Sequence, residues 1–209
     1  MFGTHDLWLF VVSGLLLNVT PGPDTLYIVG RSSTQGTRAG AIAALGIGAG
    51  TLVHIAAAAL GLSAILAASA GAFTIVKIAG ALYLVYVGIG LIRSSGNRSG
   101  TAINVAPAPL RKVFVQGFLT NILNPKVALF FLAFLPQFVD ADSPSKPLAF
   151  LFLGVVFDVN GTLWNLFLAW SSARITGGLR RSAAFTKWFD RSVGSIFVLL
   201  GIRLACVRN

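Results

Sequence analysis

Asn18-Val19-Thr20-Pro21-Gly22-Pro23-Asp24 interrupts one long apolar stretch of this chain, and Asn121-Ile122-Leu123-Asn124-Pro125-Lys126 interrupts another. Proline removes a backbone donor and clashes with the preceding turn, so each motif breaks a helix where the flanking residues favour one. The break strands carbonyls one turn earlier and exposes N–H groups where the helix restarts. At membrane depth such backbone survives only where protein or a water-filled cavity satisfies it. Paired breaks at corresponding places in two halves of a chain point to a transport site.

The composition supports a membrane setting. The 209 residues are 56% hydrophobic and 11% charged, with a mean hydropathy of +0.82. Soluble domains carry about twice that charged fraction. Six spans of about 20 residues with short loops consume nearly the whole length, so the chain reads as one integral membrane domain over 1–209. The formal net charge of +10 marks cytoplasmic loops rather than a nucleic-acid surface, since no base-reading motif accompanies it. Cys206 stands alone, without a disulfide partner or metal-ligand spacing, and reads as packing. Met1 to Asp6 lack the basic start of a signal peptide, so the first apolar run is expected to remain as the first helix.

Apolar segments fall at about 7–29, 39–65, 71–92, 113–139, 147–170 and 189–207. The expected fold is therefore an all-α membrane protein with six transmembrane helices, helices 1 and 4 being broken at the proline motifs. Arg31 and Arg38 follow helix 1, while Arg93, Arg98, Arg111 and Lys112 follow helix 3. Arg174, Arg180, Arg181, Lys187 and Arg191 follow helix 5. The positive-inside rule places these three connectors in the cytoplasm and both termini outside, with Arg203 and Arg208 pulling the other way. An odd number of helices per half makes the halves inverted repeats, about 1–95 and 111–209, joined by a Gly/Ser/Pro-rich linker at about 96–110. Gly46 and Gly50 match Gly154 and Asp158, and Gly80-Ala81-Leu82-Tyr83 resembles Gly194-Ser195-Ile196-Phe197.

The candidate site gathers at the breaks. Asn18, Thr20, Asn121 and Asn124 offer neutral donors and acceptors beside Pro21, Gly22, Pro23 and Pro125. Asp24 and Lys126 are ionisable groups inside apolar segments, each costing roughly 2.5–3.5 kcal/mol on insertion scales. They are expected to approach each other near the bundle centre. The plainer alternative makes Asp24 a helix-start charge and lets Lys126 snorkel. Asp158, Thr162 and Asn165 lie at i, i+4 and i+7, a polar stripe that should face the bundle interior. Asp158 is the foremost candidate for proton coupling, though such a stripe also serves as a plain interhelical hydrogen-bond site. His54 follows Gly46 and Gly50 on helix 2, where it either relays protons or packs. Catalysis finds no support: there is no HExxH, no P-loop and no convincing nucleophile–base set. No cofactor or metal is expected.

At these residues the sequence resembles the LysE/RhtB family of amino-acid exporters. The likeness is carried by the Asn18–Asp24 motif, the Arg31–Gly40 stretch, Gly80-Ala81-Leu82-Tyr83-Leu84, and Asn121 through Phe131 with Pro136-Gln137-Phe138 after it. It implies a multi-pass secondary exporter of the bacterial inner membrane, driven by an ion gradient and moving neutral amino acids of the threonine or homoserine kind. The implied partners are a small amino-acid substrate, a proton or other coupling ion, and the lipid bilayer; homo-oligomerisation stays open. Substrate would sit between the two broken helices, with rocking of the halves alternating access. The competing readings are a metal or inorganic-ion exporter, which would want more Cys, His or carboxylate ligands, and an uncoupled channel-like protein.

Overall fold

The computed structural model describes residues 2–62, 106–140, 143 and 145–174, with separate helical positions between 71 and 93 and between 191 and 202. Most of the expected helices 3 and 6, the Gly80–Tyr83 and Gly194–Phe197 comparison, Cys206 and most of the linker lie outside the described residues. The described chain is nearly all helical, and its sole extended pairing is an isolated bridge between Thr4 and Val139.

Helix α1 covers Leu7–Val19, and α2 covers Pro23–Ala57 and runs on as a π-helical turn through Ala58–Leu62. Helix α3 is Leu110–Ile122 and α4 is Pro125–Leu129, followed by a π turn at Phe130–Phe134 and a 3-10 turn at Leu135–Phe138. Helix α5 is Lys146–Arg174. Among the described residues, Pro23–Leu62 and Lys146–Arg174 are long and apolar enough to cross a membrane, and α3 with Pro125–Phe138 meets the same measure only as a pair bent by 45°.

The outer surfaces confirm the setting. Along α5, Leu148, Leu151, Val155, Val159, Leu163, Phe167 and Trp170 are exposed, at helical spacing. The opposite face buries Ala149, Phe150, Leu153, Phe157, Ala169 and the polar Asn165. An apolar outside with polar groups inside is the arrangement that lipid favours. The protein is an all-α membrane protein.

Gly36 turns α2 into a hairpin. It has φ +82° and ψ 176°, a region that residues bearing a Cβ essentially do not adopt. Four residues to either side, the hydroxyl of Ser32 presses on Gly40, which leaves no space for a side chain there. Sequence expectation ended the first span near residue 29 and treated 30–38 as a connector; the helix instead continues to this single-residue turn. Helical hydrogen bonding needs no apolar run, so the polar stretch Arg31–Gln35 stays helical by packing against its neighbours.

Beyond Gly36, α2 runs antiparallel to α5: Gly40 meets Ala169, Gly48 meets Thr162 and Ile55 meets Gly154. It runs parallel to α3, with Gly46 against Phe114, Gly50 against Phe118 and His54 against Asn121. Arg31 and Gln35 bind the backbone of Ala106 and Ala108, so the Gly36 turn and the start of α3 share one end of the molecule. Leu62 lies at the other end, in one cluster with Phe138 and Val139. There, His5 N donates to Phe138 O at 3.1 Å, Asp140 N to Gly3 O at 2.8 Å and Ser143 Oγ to Phe2 O at 3.0 Å. Above that tie sits a core of aromatic rings: Phe10 on Phe138, and Phe130 on Phe157 with centroids 4.5 Å apart.

Candidate functional site

Pro21 and Pro23 stop α1 and start α2 within four residues. Thr20 closes α1 with its own groups, its N–H and hydroxyl both reaching Leu16 O, at 3.0 and 2.7 Å. In a continuous helix, residue 21 would donate to Leu17 O, but Pro21 has no N–H to give. Gly22 is extended at φ −149° and ψ −172°, which also leaves Thr20 O without a helical donor. The Lys126 ammonium takes both orphans, donating to Leu17 O and Thr20 O at 2.9 Å each. A Cβ on Gly22 would lie 3.3 Å from that ammonium.

The second break answers the first. Asn124 accepts from Lys126 N at 3.0 Å and Pro125 opens the new turn, a paired N-cap and N1 arrangement. Pro125 leaves Asn121 O without its helical donor. Asn124 N bonds it at 2.9 Å and His54 Nε2 approaches at 3.2 Å. A carbonyl only accepts, so Nε2 carries the proton. The Asn121 side chain is 1% exposed; its Nδ2 donates to Asp24 Oδ2 at 2.9 Å and its Oδ1 accepts from Thr51 Oγ1 at 3.3 Å. Each broken helix thus satisfies the other, through Lys126 against Leu17, Thr20 and Gly22 and Asn121 against Asp24.

Between them lies a cavity bordered by Asn18, Asp24, Asn121, Lys126, Asp158, Thr162 and Asn165 on its polar side. Leu17, Ile47, Val127 and Phe157 form the apolar wall. Its volume is about 20 Å³, the scale of one water molecule. Lys126 and His54 lie within electrostatic range of Asp24, and the Thr162 side chain sits beside Asp158. Three side-chain atoms near the breaks are buried without a well-formed hydrogen bond, Asn18 Nδ2, Asp24 Oδ1 and Asn124 Nδ2, although the Asn124 and Asp24 side chains stand next to each other. Such atoms cost about 1–3 kcal/mol each when unmet, and two of the residues border this cavity.

Of the residues singled out from sequence, Asn18, Asp24, Asn121, Lys126, Asp158, Thr162 and Asn165 meet at the cavity. Thr20 and Asn124 stand just behind it as caps. Pro21, Gly22, Pro23 and Pro125 shape the backbone. His54 lies off the cavity, stacked on Phe131 with centroids 5.8 Å apart.

The family model described as LysE type translocator matches residues 15–208. The chain belongs to the LysE type translocator family. It is 31% identical over 207 residues to an uncharacterized membrane protein of Pseudomonas aeruginosa, covering 97% of this chain and 96% of that one. A leucine efflux protein of Salmonella typhimurium is 26% identical over 208 residues, covering 100% and 98% of the two chains. A leucine efflux protein of an Enterobacter species is 28% identical over 204 residues, covering 98% and 97%. No solved structure matches. This translocator is a membrane transport protein and not an enzyme.

Sequence reasoning about the translocator missed Gly48, Thr51, Thr25 and Gly161 at the cavity. Gly46 and Gly50, matched from sequence to Gly154 and Asp158, both serve α3: a Cβ at Gly50 would meet Phe118 O at 2.8 Å. Gly48, on another face, is the residue that lets α5 close in, with Thr162 Oγ1 2.8 Å and Asp158 Oδ1 3.5 Å from its would-be Cβ. Gly161 similarly faces Asn18, 3.1 Å from Nδ2. The signal was present as polar or small residues facing the Asp158–Thr162–Asn165 stripe, but only the antiparallel register of α2 and α5 selects them.

Proposed function

We propose that this translocator exports a neutral, aliphatic amino acid across the bacterial inner membrane by secondary active transport. One observation carries the reading. Asp24, whose Oδ1 makes no well-formed hydrogen bond although the Asn124 side chain stands beside the carboxylate, and a lone donor, Asn18 Nδ2, border one cavity that also has an apolar wall. A zwitterion supplies the complement to each: its ammonium for the Asp24 carboxylate, its carboxylate for Asn18, and its side chain for Leu17, Ile47, Val127 and Phe157. The names of the leucine efflux relatives support an aliphatic substrate. The same site would hold threonine or homoserine through Thr51 and Thr162, the preference read from resemblance.

The cavity of about 20 Å³ is far smaller than any amino acid. Binding therefore requires the walls to part, at the Gly36 end or at the end tied by His5 and Phe138. Loop charge puts the Gly36 end in the cytoplasm and the N-terminus outside. Rocking of two inverted halves would open the ends in turn. Counterflow in proteoliposomes against a panel of labelled amino acids tests the reading, with L-leucine expected to exchange first. If no amino acid exchanges, the reading is wrong.

A proton is the proposed coupling ion, taken up by Asp158 or Asp24, both of which reach the cavity. Asp158→Asn should retain counterflow while losing uptake driven by a pH gradient. Driven uptake equal to wild type in both Asp158→Asn and Asp24→Asn would remove proton coupling through these groups.

A further inference from the structure

Arg31 is 3% exposed, and among the described residues only neutral groups bind it. Its Nη2 donates to Gln116 Oε1 at 2.7 Å, its Nη1 to Gln35 Oε1 at 2.8 Å and Ala106 O at 2.9 Å, and its Nε to the Tyr27 hydroxyl at 3.3 Å. Tyr27 in turn donates to Val113 O at 2.9 Å. A guanidinium has five N–H groups, and these bonds use four. Among the described residues no carboxylate pairs with it. Burying a cation without a counter-charge is costly, and the cost is hard to account for as a mere tether for the 106–108 backbone, which Gln35 already holds through Ala108.

The guanidinium does not face a sealed interior. Tyr27, Arg31 and Gln116 form one end of a groove of about 380 Å³, and Leu119, Thr120 and Leu123 form its wall. That volume lies in the range of small-ligand sites. Leu119 and Leu123 are 47% and 76% exposed, so the groove is apolar along its length and cationic at its end. Asp24 lies seven residues before Arg31, two helical turns or about 10.5 Å away. Thr120 adjoins Asn121. The groove and the central cavity are therefore separated only by the seam between α2 and α3.

We propose that this groove is a second binding station, in which Arg31 takes the carboxylate of an apolar amino acid whose side chain lies on Leu119 and Leu123. The proposal rests on the amino-acid reading of the central cavity and adds a site outside it. The remaining Arg31 N–H and the unneutralised charge match a carboxylate, and the leucine wall matches an aliphatic side chain. The groove lies toward the Gly36 end, where the station would load the translocator before the cavity opens.

The test uses the full chain in proteoliposomes, with L-leucine as the probe and L-leucinamide, which lacks the carboxylate, as competitor. Arg31→Gln is expected to raise the half-saturating leucine concentration at least tenfold from the Gly36 face, and less than twofold from the other. The potency of leucinamide should not change. Leu119→Trp fills the groove without touching the clamp and should weaken leucine from the same face, which keeps the test open if Arg31→Gln does not fold. Equal effects on leucine and leucinamide would reduce Arg31 to a structural clamp and overturn the proposal. So would unchanged leucine affinity in Leu119→Trp. Wild-type activity that depends on phosphatidylglycerol in the vesicles, and loses that dependence in Arg31→Gln, would give the groove to a lipid headgroup instead. Wild-type protein that moves no amino acid overturns the cavity reading itself; leucine transport indifferent to Arg31 and Leu119 overturns only the second station.

Discussion

Replacing Lys126 by Met should uncouple the two breaks. The ammonium of Lys126 supplies the donors that Pro21 and Gly22 withdraw from Leu17 O and Thr20 O. A hydrogen bond to a charged group contributes roughly 1.5–3 kcal/mol, so two unreplaced bonds amount to about 3–6 kcal/mol. Two effects offset part of this: Met removes the cost of holding an ammonium out of water, and the adjacent cavity has space for water at a freed carbonyl. The expected loss is about 2–4 kcal/mol. Equilibrium unfolding in mixed micelles, followed by tryptophan fluorescence, measures it. Pro21→Ala restores an N–H that one further turn of α1 would deliver to Leu17 O. Lys126→Met should then cost about 1 kcal/mol less in that background, giving a coupling measurable by a double-mutant cycle. Lys126→Met as stable as wild type would refute the reasoning for the site. Additivity within about 0.5 kcal/mol would refute the assignment of the Leu17 carbonyl.

Asp24→Asn keeps an acceptor for Asn121 Nδ2 and should fold, but it removes the charge proposed to meet the substrate ammonium. Affinity for L-leucine should fall about 10- to 100-fold, the equivalent of one charged hydrogen bond, in a binding or counterflow titration. Gly48→Ala puts a methyl 2.8 Å from Thr162 Oγ1, so the Thr162 hydroxyl beside Asp158 must turn away or α5 must shift. Transport should drop at least about tenfold while the detergent-solubilised protein stays monodisperse, since displacement of positioning groups is costly to function. Gly36→Ala has open space around it and fails only on its backbone angle, so it should cost about 1–3 kcal/mol in the same unfolding assay. No loss would show that the hairpin does not need φ +82°.

Much of the fold was legible because lipid imposes simple rules. Apolar runs with few charges, and prolines inside two of them, were enough to identify an all-α membrane protein with broken helices at Pro21–Pro23 and Pro125. The polar stripe Asp158–Thr162–Asn165 reads directly from helical periodicity and indeed turns inward. Arg31 was misplaced for a physical reason. Loop charge marks a membrane face well, but it does not reveal whether an arginine lies in a loop or in the last buried turns of a helix, where side-chain acceptors from another segment hold it.

By itself the sequence determined where the backbone must fail: proline has no N–H, so the carbonyls of Leu17 and Asn121 lose their donors in any fold. It also determined that those donors must come from protein, water or ligand, because lipid offers none. The tertiary structure alone decided who supplies them. Lys126 reaches across to α1 and His54 reaches Asn121 O because α2 runs parallel to α3 through the close approaches at Gly46 and Gly50. The antiparallel contact of α2 with α5 at Gly48 then brings Asp158 and Thr162 to the same cavity. Those pairings span 67 residues or more, and no local pattern encodes a contact at that range; only the packing of whole helices against one another does.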